Sequence, residues 1–310
     1  MKGIEVFAPA TVSNLGSGFD IIGFPVEDIG DVVVIKPVSQ AEIRIVHLGG
    51  YGDIPREVEK NTASFALGKM FQKLEVKRGV ELEIYKGIRP GSGIGSSAAS
   101  AAAALTGANE WLGRPLSQLQ LVELAMESEG MVSGSRHADN VAPALMGGIT
   151  VVRSYNPLDI FRIEPPGQLY TVLLHPHIEV KTQTSRKILP RQVKLEDAVR
   201  QWGNVAGLIA GLQRGDYDLI GRSMEDVIVE PARARLIPGY DQLKTAAVEA
   251  GALNCSISGS GPSVLALCKG RENAEKVKSA MDQAYQNRQI SFQSLITRVN
   301  PRGAVVQRKW

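Results

Sequence analysis

Apolar and polar residues alternate in short runs through the first part of the chain. "IEVFAPAT" and "DVVVIKPV" read as strands, while "EIRIVH" and "VELEIYKG" switch between apolar and polar at nearly every step, the period of a half-buried strand. The pattern then turns helical. A run of small residues over 97–112 stops at Gly113, and "PLSQLQLVELAMESEG" sets Leu119, Val122, Leu124, Ala125 and Met126 on one face ahead of Gly130. "GGITVV" returns to strand.

Prolines crowd "YNPLDIFRIEPPGQLY" at 155–170, and a new alternation of strands and helices starts beyond it. This stretch is the expected domain boundary, giving a first domain over 1–165 and a second over 166–310. In the second half "YTVLLHP" and "SVLALC" read as strands. "LEDAVRQWGNVAGLIAGLQRG", "YDQLKTAAVEAG" and "RENAEKVKSAMDQAYQN" read as helices, the last with Ala274, Val277, Met281 and either Tyr285 or Ala284 turned inward. The expected fold class is α+β in two layered domains.

Composition narrows the function classes. With 44% hydrophobic and 22% charged residues in 310, the chain is that of a folded globular protein. The 35 basic and 32 acidic residues are spread without a Lys/Arg tract or an aromatic ladder, so no nucleic-acid partner is expected. The opening segment lacks the apolar core of an export signal, and Asn109 and Glu110 end the longest charge-free run before a bilayer-spanning length. A cytoplasmic protein with no membrane partner is the expectation, with Cys255 and Cys268 as reduced thiols.

The charge-free stretch "PGSGIGSSAASAAAAL" at 90–105 carries the first chemistry. A strand ending near Gly87, a glycine-rich turn and a helix starting at Ser96 or Ser97 make a helix N-terminus, whose unpaired N–H groups and dipole attract anions. Glycine lets the backbone bend through positive φ and approach a phosphate without a Cβ between them. No Lys-Ser/Thr follows the last glycine, and position 96 is Ser, so neither a Walker A loop nor a Gly-x-Gly-x-x-Gly fingerprint is present. Taken alone, the stretch is either an anion site or a tight turn into a packing helix.

The string "PGSGIGSSAAS" closely resembles the phosphate loop of the GHMP kinases, with Ile94 where that superfamily has Leu. "APATVSNLGSGFDIIG" resembles its first motif and "SISGSGPSVLAL" its third, in the same order. Within the superfamily, "SNLGSGFD", "SGSRHADNVAPALMGG", "TQTSR", "EPARARLIPGY" and "NPRGA" are most similar to the homoserine kinase branch. The resemblance spans essentially the whole chain. It implies an N-terminal domain of the ribosomal protein S5 domain 2-like type and a C-terminal ferredoxin-like α/β sandwich domain. It also implies transfer of the ATP γ-phosphoryl group to L-homoserine, Mg²⁺ as cofactor, a step toward threonine, and a cytoplasmic homodimer. A mevalonate- or sugar-type kinase and a non-catalytic ligand sensor of the same fold are the alternatives.

The resemblance also implies roles residue by residue. Pro90, Gly91, Ser92, Gly93, Ile94, Gly95, Ser96, Ser97 and Ala98 would hold the nucleotide phosphates, and Asn61 would belong to the nucleotide pocket. Ser97 and Glu129 match the metal site, a hydroxyl and a carboxylate of the hard-oxygen kind that Mg²⁺ takes. Arg186 and Arg233 would meet the substrate carboxylate, with Thr182 adding a hydroxyl and Arg235 as a substitute; Asp20 and Asn14 would meet the ammonium, and His137 and Asn140 complete the pocket. Mevalonate and galactose kinases carry an aspartate at the position of Asn140, and an amide cannot take a proton at neutral pH. Catalysis by positioning and charge stabilisation is therefore expected, with Asn140 orienting the hydroxyl, Ser97 and Glu129 at the phosphates, and Asp139 a supporting carboxylate turned elsewhere.

Overall fold

The computed structural model describes residues 2–52 and 54–310, with side chains for all of these except 132 and 133. The first half runs β1 (Ile4–Asn14), β2 (Gly18–Val38), β3 (Ile43–Gly50), α1 (Thr62–Lys73), β4 (Gly79–Lys86), α2 (Ser96–Trp111), α3 (Gln118–Ser133), α4 (Val141–Met146), β5 (Ile149–Tyr155) and β6 (Leu158–Ile163). The second half runs β7 (Leu169–Pro176), α5 (Thr182–Lys187), α6 (Leu195–Arg214), α7 (Tyr217–Ser223), α8 (Glu230–Arg233), α9 (Tyr240–Glu249), β8 (Asn254–Ile257), β9 (Val264–Lys269), α10 (Arg271–Gln286), β10 (Phe292–Arg298) and β11 (Val305–Lys309).

Two sheets result, an α+β arrangement. The larger has the order β11-β1-β2-β4-β3, with β5 and β6 branching from the first half of β2; the smaller is β10-β7-β9-β8. The small-residue helix α2 lies at the centre of the first half. Residues 98–104 are all buried, and Gly107 sits so close to the sheet that a Cβ there would come within 2.8 Å of Ile35 Cδ1. A helix apolar on every side must be covered on every side, and alanine lets its backbone approach β1 and β2 closely. That packing fixes the direction in which the N-terminus of α2 points. On the smaller sheet, Ala274, Val277, Met281 and Tyr285 of α10 are fully buried along one face, as their spacing requires.

One expectation is corrected. Leu119 is 37% exposed rather than inward, and α3 continues through Gly130 to Ser133; a reciprocal cap between Ser117 and Gln120 starts this helix at Gln118. Within the proline-rich stretch, β6 forms a hairpin with β5. The last strand, β11, returns to the first sheet beside β1, so that sheet takes a strand from beyond residue 166. Leu169, Leu173, Leu265 and Leu267 of the smaller sheet pack into the same core as the first half, so the two layers meet through apolar side chains.

Cys255 and Cys268 are free and buried, and burial pushes the Cys268 thiol up to about 12. Among the described residues no helix is long and apolar enough to cross a membrane.

Candidate active site

A cavity of about 520 Å³ opens between the phosphate-loop region, α3, the turn before α4, α5 and the turn after β8. Of the site residues expected from the sequence, only Ile94, Ala98 and the substitute Arg235 fail to line it. The first two side chains are buried in the core, Ile94 at 8% and Ala98 at 1% exposure. Within the loop, the Ile94 carbonyl accepts a hydrogen bond from Thr11 N–H at 3.1 Å.

The loop is shaped by contacts from both neighbouring motifs. Ser258 Oγ donates to Gly93 O at 2.8 Å, and Ser263 donates to Ser92 O through both Oγ (2.6 Å) and its backbone N–H (3.2 Å). Gly93 and Gly95 have φ of +80° and +69°. A Cβ on Gly95 would fall 1.9 Å from Thr11 Oγ1, and one on Gly93 2.6 Å from Gly261 O, so these two positions demand glycine by conformation and by space. Gly95 caps α2 without a side chain, leaving the cap position open toward the cavity. Next to it, Ser97 Oγ donates to Glu129 Oε2 at 2.8 Å. A hydroxyl and a carboxylate paired at the phosphate end are a donor set that suits Mg²⁺. Asn61 lines the far end, where its side chain caps α1 by accepting from Ala63 N–H (3.1 Å) and donating to Pro55 O (2.9 Å).

Charged residues converge at the other end. Arg186 holds Asp20 through two hydrogen bonds, Nη2 to Oδ1 at 2.7 Å and Nη1 to Oδ2 at 3.0 Å, and His137 Nδ1 lies 3.3 Å from Asp20 Oδ2. Burial pushes the His137 imidazole below its ordinary range, against the charge of Asp20, which raises it. Arg233 is 2% exposed and donates from Nη1 to Gly259 O at 2.8 Å; none of the ion pairs among the described residues includes it. Burial, and then the nearby Arg186, push its guanidinium down to about 10. Nε of both arginines is buried without a hydrogen-bond partner among the described residues. The ring of Phe19 carries both guanidiniums, its centroid 5.5 Å from the Arg186 guanidinium carbon and 5.0 Å from that of Arg233. Asn14 joins the two halves of the site: its Nδ2 donates to Gly259 O (2.9 Å) and its Oδ1 accepts from Asp20 N–H (3.1 Å). Thr182 stands at the start of α5, with Oγ1 3.4 Å from Ser260 Oγ.

Arg186 is paired with Asp20, while no ion pair among the described residues includes Arg233. Arg235 is not part of the cavity; it donates to Ala232 O at 3.0 Å. Asn140 is fixed from both sides, its Oδ1 accepting from Thr11 Oγ1 (2.8 Å) and its Nδ2 donating to Ser13 Oγ (3.0 Å), which leaves one N–H. Asp139 also lines the cavity instead of turning elsewhere, because Ser13 hydrogen-bonds it as well as Asn140. Burial, then the charge of Asp20, push its carboxyl up to about 7. Phe19, Ser13, Thr11 and the buried Lys86 are the site residues that sequence reasoning passed over.

Comparison with known proteins bears on this geometry. The model of the GHMP kinases N terminal domain matches residues 61–148, and that of the GHMP kinases C terminal domain matches 208–287. A homoserine kinase of Chlorobium phaeobacteroides (strain BS1) is 46% identical over 309 residues, covering 95% of each chain. One of Natronomonas pharaonis is 42% identical, covering 97% of this chain and 99% of its own. The crystal structure of homoserine kinase from Cytophaga hutchinsonii superposes with a TM-score of 0.95 at 47% identity, covering 99% of this chain and 98% of that one. L. major mevalonate kinase in complex with R-mevalonate gives a TM-score of 0.69 at 18% identity over 96% of each chain, a likeness of fold.

Proposed function

Because the chain belongs to the GHMP kinase family, we propose that it is an ATP-dependent homoserine kinase, converting L-homoserine and ATP to O-phospho-L-homoserine and ADP. The observation that carries this reading is Arg233, a buried guanidinium with no carboxylate partner, standing beside a carboxylate held by Arg186. A buried charge left without a counter-ion costs several kcal/mol, so the position calls for an anion. The Asp20 carboxylate, with lone pairs beyond the two that Arg186 uses, calls for a cation within the same pocket. An amino acid supplies both charges. Mevalonate has a carboxylate and no ammonium, and a sugar has neither, so the homoserine reading is favoured over both.

In this reading the substrate carboxylate meets Arg233 and the ammonium meets Asp20, with Asn14, His137 and Thr182 around them. The side-chain hydroxyl then points toward Asn140 and the phosphate loop. Its oxygen forms a bond to the γ-phosphorus as the bond from that phosphorus to the β,γ-bridging oxygen breaks, and the hydroxyl proton passes to a phosphate oxygen or to water. Loop N–H groups and the α2 dipole stabilise charge on the transferring group, whose loose transition state asks mainly for alignment and electrostatics. Ser97 and Glu129 would hold Mg²⁺, which supplies neutralisation of phosphate charge when bound. Asn140 gives its remaining N–H to the hydroxyl oxygen and cannot accept the proton. A second reading has the Asp139 carboxylate take that proton, favoured by its place in the cavity and a pKa of about 7, near the operating pH.

The proposal extends to a cytoplasmic homodimer without membrane or nucleic-acid partners. Leu195, Val199 and Trp202 make an exposed apolar stripe on α6, at 72%, 55% and 62% exposure, which supports burial against a second copy. Phosphorus NMR of the purified chain with MgATP and L-homoserine tests the activity: a new phosphomonoester resonance that grows with homoserine supports it, and ATP left intact contradicts it.

A further inference from the structure

Behind the phosphate loop lies a buried ion pair that no part of the proposed mechanism uses. Asp31 of β2 is fully buried, and Lys86, the last residue of β4, is 5% exposed. Asp31 Oδ1 accepts from the backbone N–H groups of Gly87 (3.1 Å) and Ile88 (3.2 Å), the residues that enter the loop. Asp31 Oδ2 accepts from Ser100 Oγ (2.7 Å) and from Lys86 Nζ. Lys86 Nζ also donates to Ser96 O (2.7 Å), at the residue where α2 begins, and to Ser100 Oγ (2.9 Å), one turn further on. Ser96 Oγ in turn donates to Ile88 O at 3.0 Å.

The pair is thus tied to both ends of the loop at once. The carboxylate grips the chain where it leaves β4, and the ammonium grips it where α2 starts. Lys86 faces the cavity but has committed its three protons to Asp31, Ser96 and Ser100, so it has none left for a phosphate oxygen. Burial lowers the pKa of the ammonium and the charge of Asp31 opposes that shift, which keeps the two residues dependent on each other. For stability alone, such a pair gains little over apolar residues of the same volume. Its geometry does something that apolar residues cannot, which is to fix the carbonyl of Ser96 and the N–H groups of Gly87 and Ile88 relative to one another.

We propose that Asp31 and Lys86 are positioning residues for the nucleotide, a staple across the neck of the phosphate loop that sets the spacing between the loop and the first turn of α2. The inference rests on the kinase reading, because it presumes that the loop receives a nucleotide. Ser100 is the third member, a bridge whose removal leaves both charges in place.

The test is calorimetric titration of MgADP, and separately of L-homoserine, into wild type, Ser100→Ala, Lys86→Met and the double variant Asp31→Asn with Lys86→Met. Losing the Ser96 tie is expected to weaken MgADP about tenfold in Lys86→Met, and losing the bridge about threefold in Ser100→Ala, with homoserine affinity within about twofold of wild type. The double variant removes the unpaired Asp31 charge, so its melting temperature is expected to recover toward wild type while MgADP affinity stays low. That split separates positioning from bulk stability. Recovery of MgADP affinity together with melting temperature would overturn the staple, as would wild-type MgADP affinity in Lys86→Met. A wild-type chain that bound no MgADP would contradict the kinase reading and the inference with it.

Discussion

Arg186 and Asp20, 166 positions apart in the chain, form a two-point ion pair at 2.7 and 3.0 Å inside the cavity. Each is tied in turn to the rest of the site: the Arg186 guanidinium stacks on Phe19, and the backbone carbonyl of Asp20 accepts from Tyr155 Oη at 2.6 Å. The pair therefore orients the carboxylate that the proposal gives to the substrate ammonium. Asp20→Asn removes that charge and leaves Arg186 unpaired. The homoserine KM is expected to rise at least about tenfold, with the ATP KM within about twofold, as initial-rate kinetics in both substrates would show. An equal rise in both constants would mean that Asp20 shapes the whole cavity.

Arg233 gives the opposite balance of stability and binding. It is a buried cation without a carboxylate, so Arg233→Met removes an unfavourable charge and keeps much of the side-chain volume. The melting temperature without substrate is expected to stay level or rise, while the further rise that homoserine gives the wild type is lost. The homoserine KM should increase about a hundredfold. A variant that melts lower and still responds to homoserine would place the substrate carboxylate elsewhere.

Asp139 yields a dependence on pH. Its carboxyl is raised from an ordinary 3.8 to about 7 in the folded chain, so folding favours the protonated form. Stability from this group is full below the unfolded value and is lost as pH rises through about 7. Asp139→Asn, which cannot ionise, is expected to gain melting temperature over wild type increasingly from about pH 4 to about pH 7 and to level off above that. If Asp139 also takes the hydroxyl proton, wild-type kcat falls below about pH 7 and the variant loses that limb along with most of its activity. An Asp139→Asn variant with the wild-type profile and rate would leave Asn140 and the phosphate oxygens to do the work alone.

What the sequence revealed was local in kind. The glycine loop, the start of α2 and the inward face of α10 depend on residues a few positions apart, and their patterns survive in the fold. Three ordered motifs also named the segments that meet: Ser258 and Ser263 of the last hold Gly93 and Ser92 of the second, and Ser13 O of the first accepts from Gly259 N–H. Pairings across the fold left no such trace. Nothing in the spacing shows that Asp20 would occupy Arg186, that Phe19 would lie under two guanidiniums, or that Lys86, the polar end of an alternating strand, would turn inward to Asp31. Leu119, in the first turn of α3, lies off the face that buries Leu121, Val122 and Ala125. The strand β6 was hidden by prolines that belong to its hairpin turn and to the segment after it.

The most direct measurement is Mg-dependent ADP release by the purified chain with homoserine, mevalonate, galactose, shikimate and threonine offered one at a time. The account predicts stimulation by homoserine well above every other acceptor, because only an acceptor with both a carboxylate and an ammonium fits the Arg233 and Asp20 ends, and threonine carries its hydroxyl one carbon too near. Stimulation by mevalonate or galactose and not by homoserine would contradict it, and stimulation by none would mark the fold as a ligand sensor.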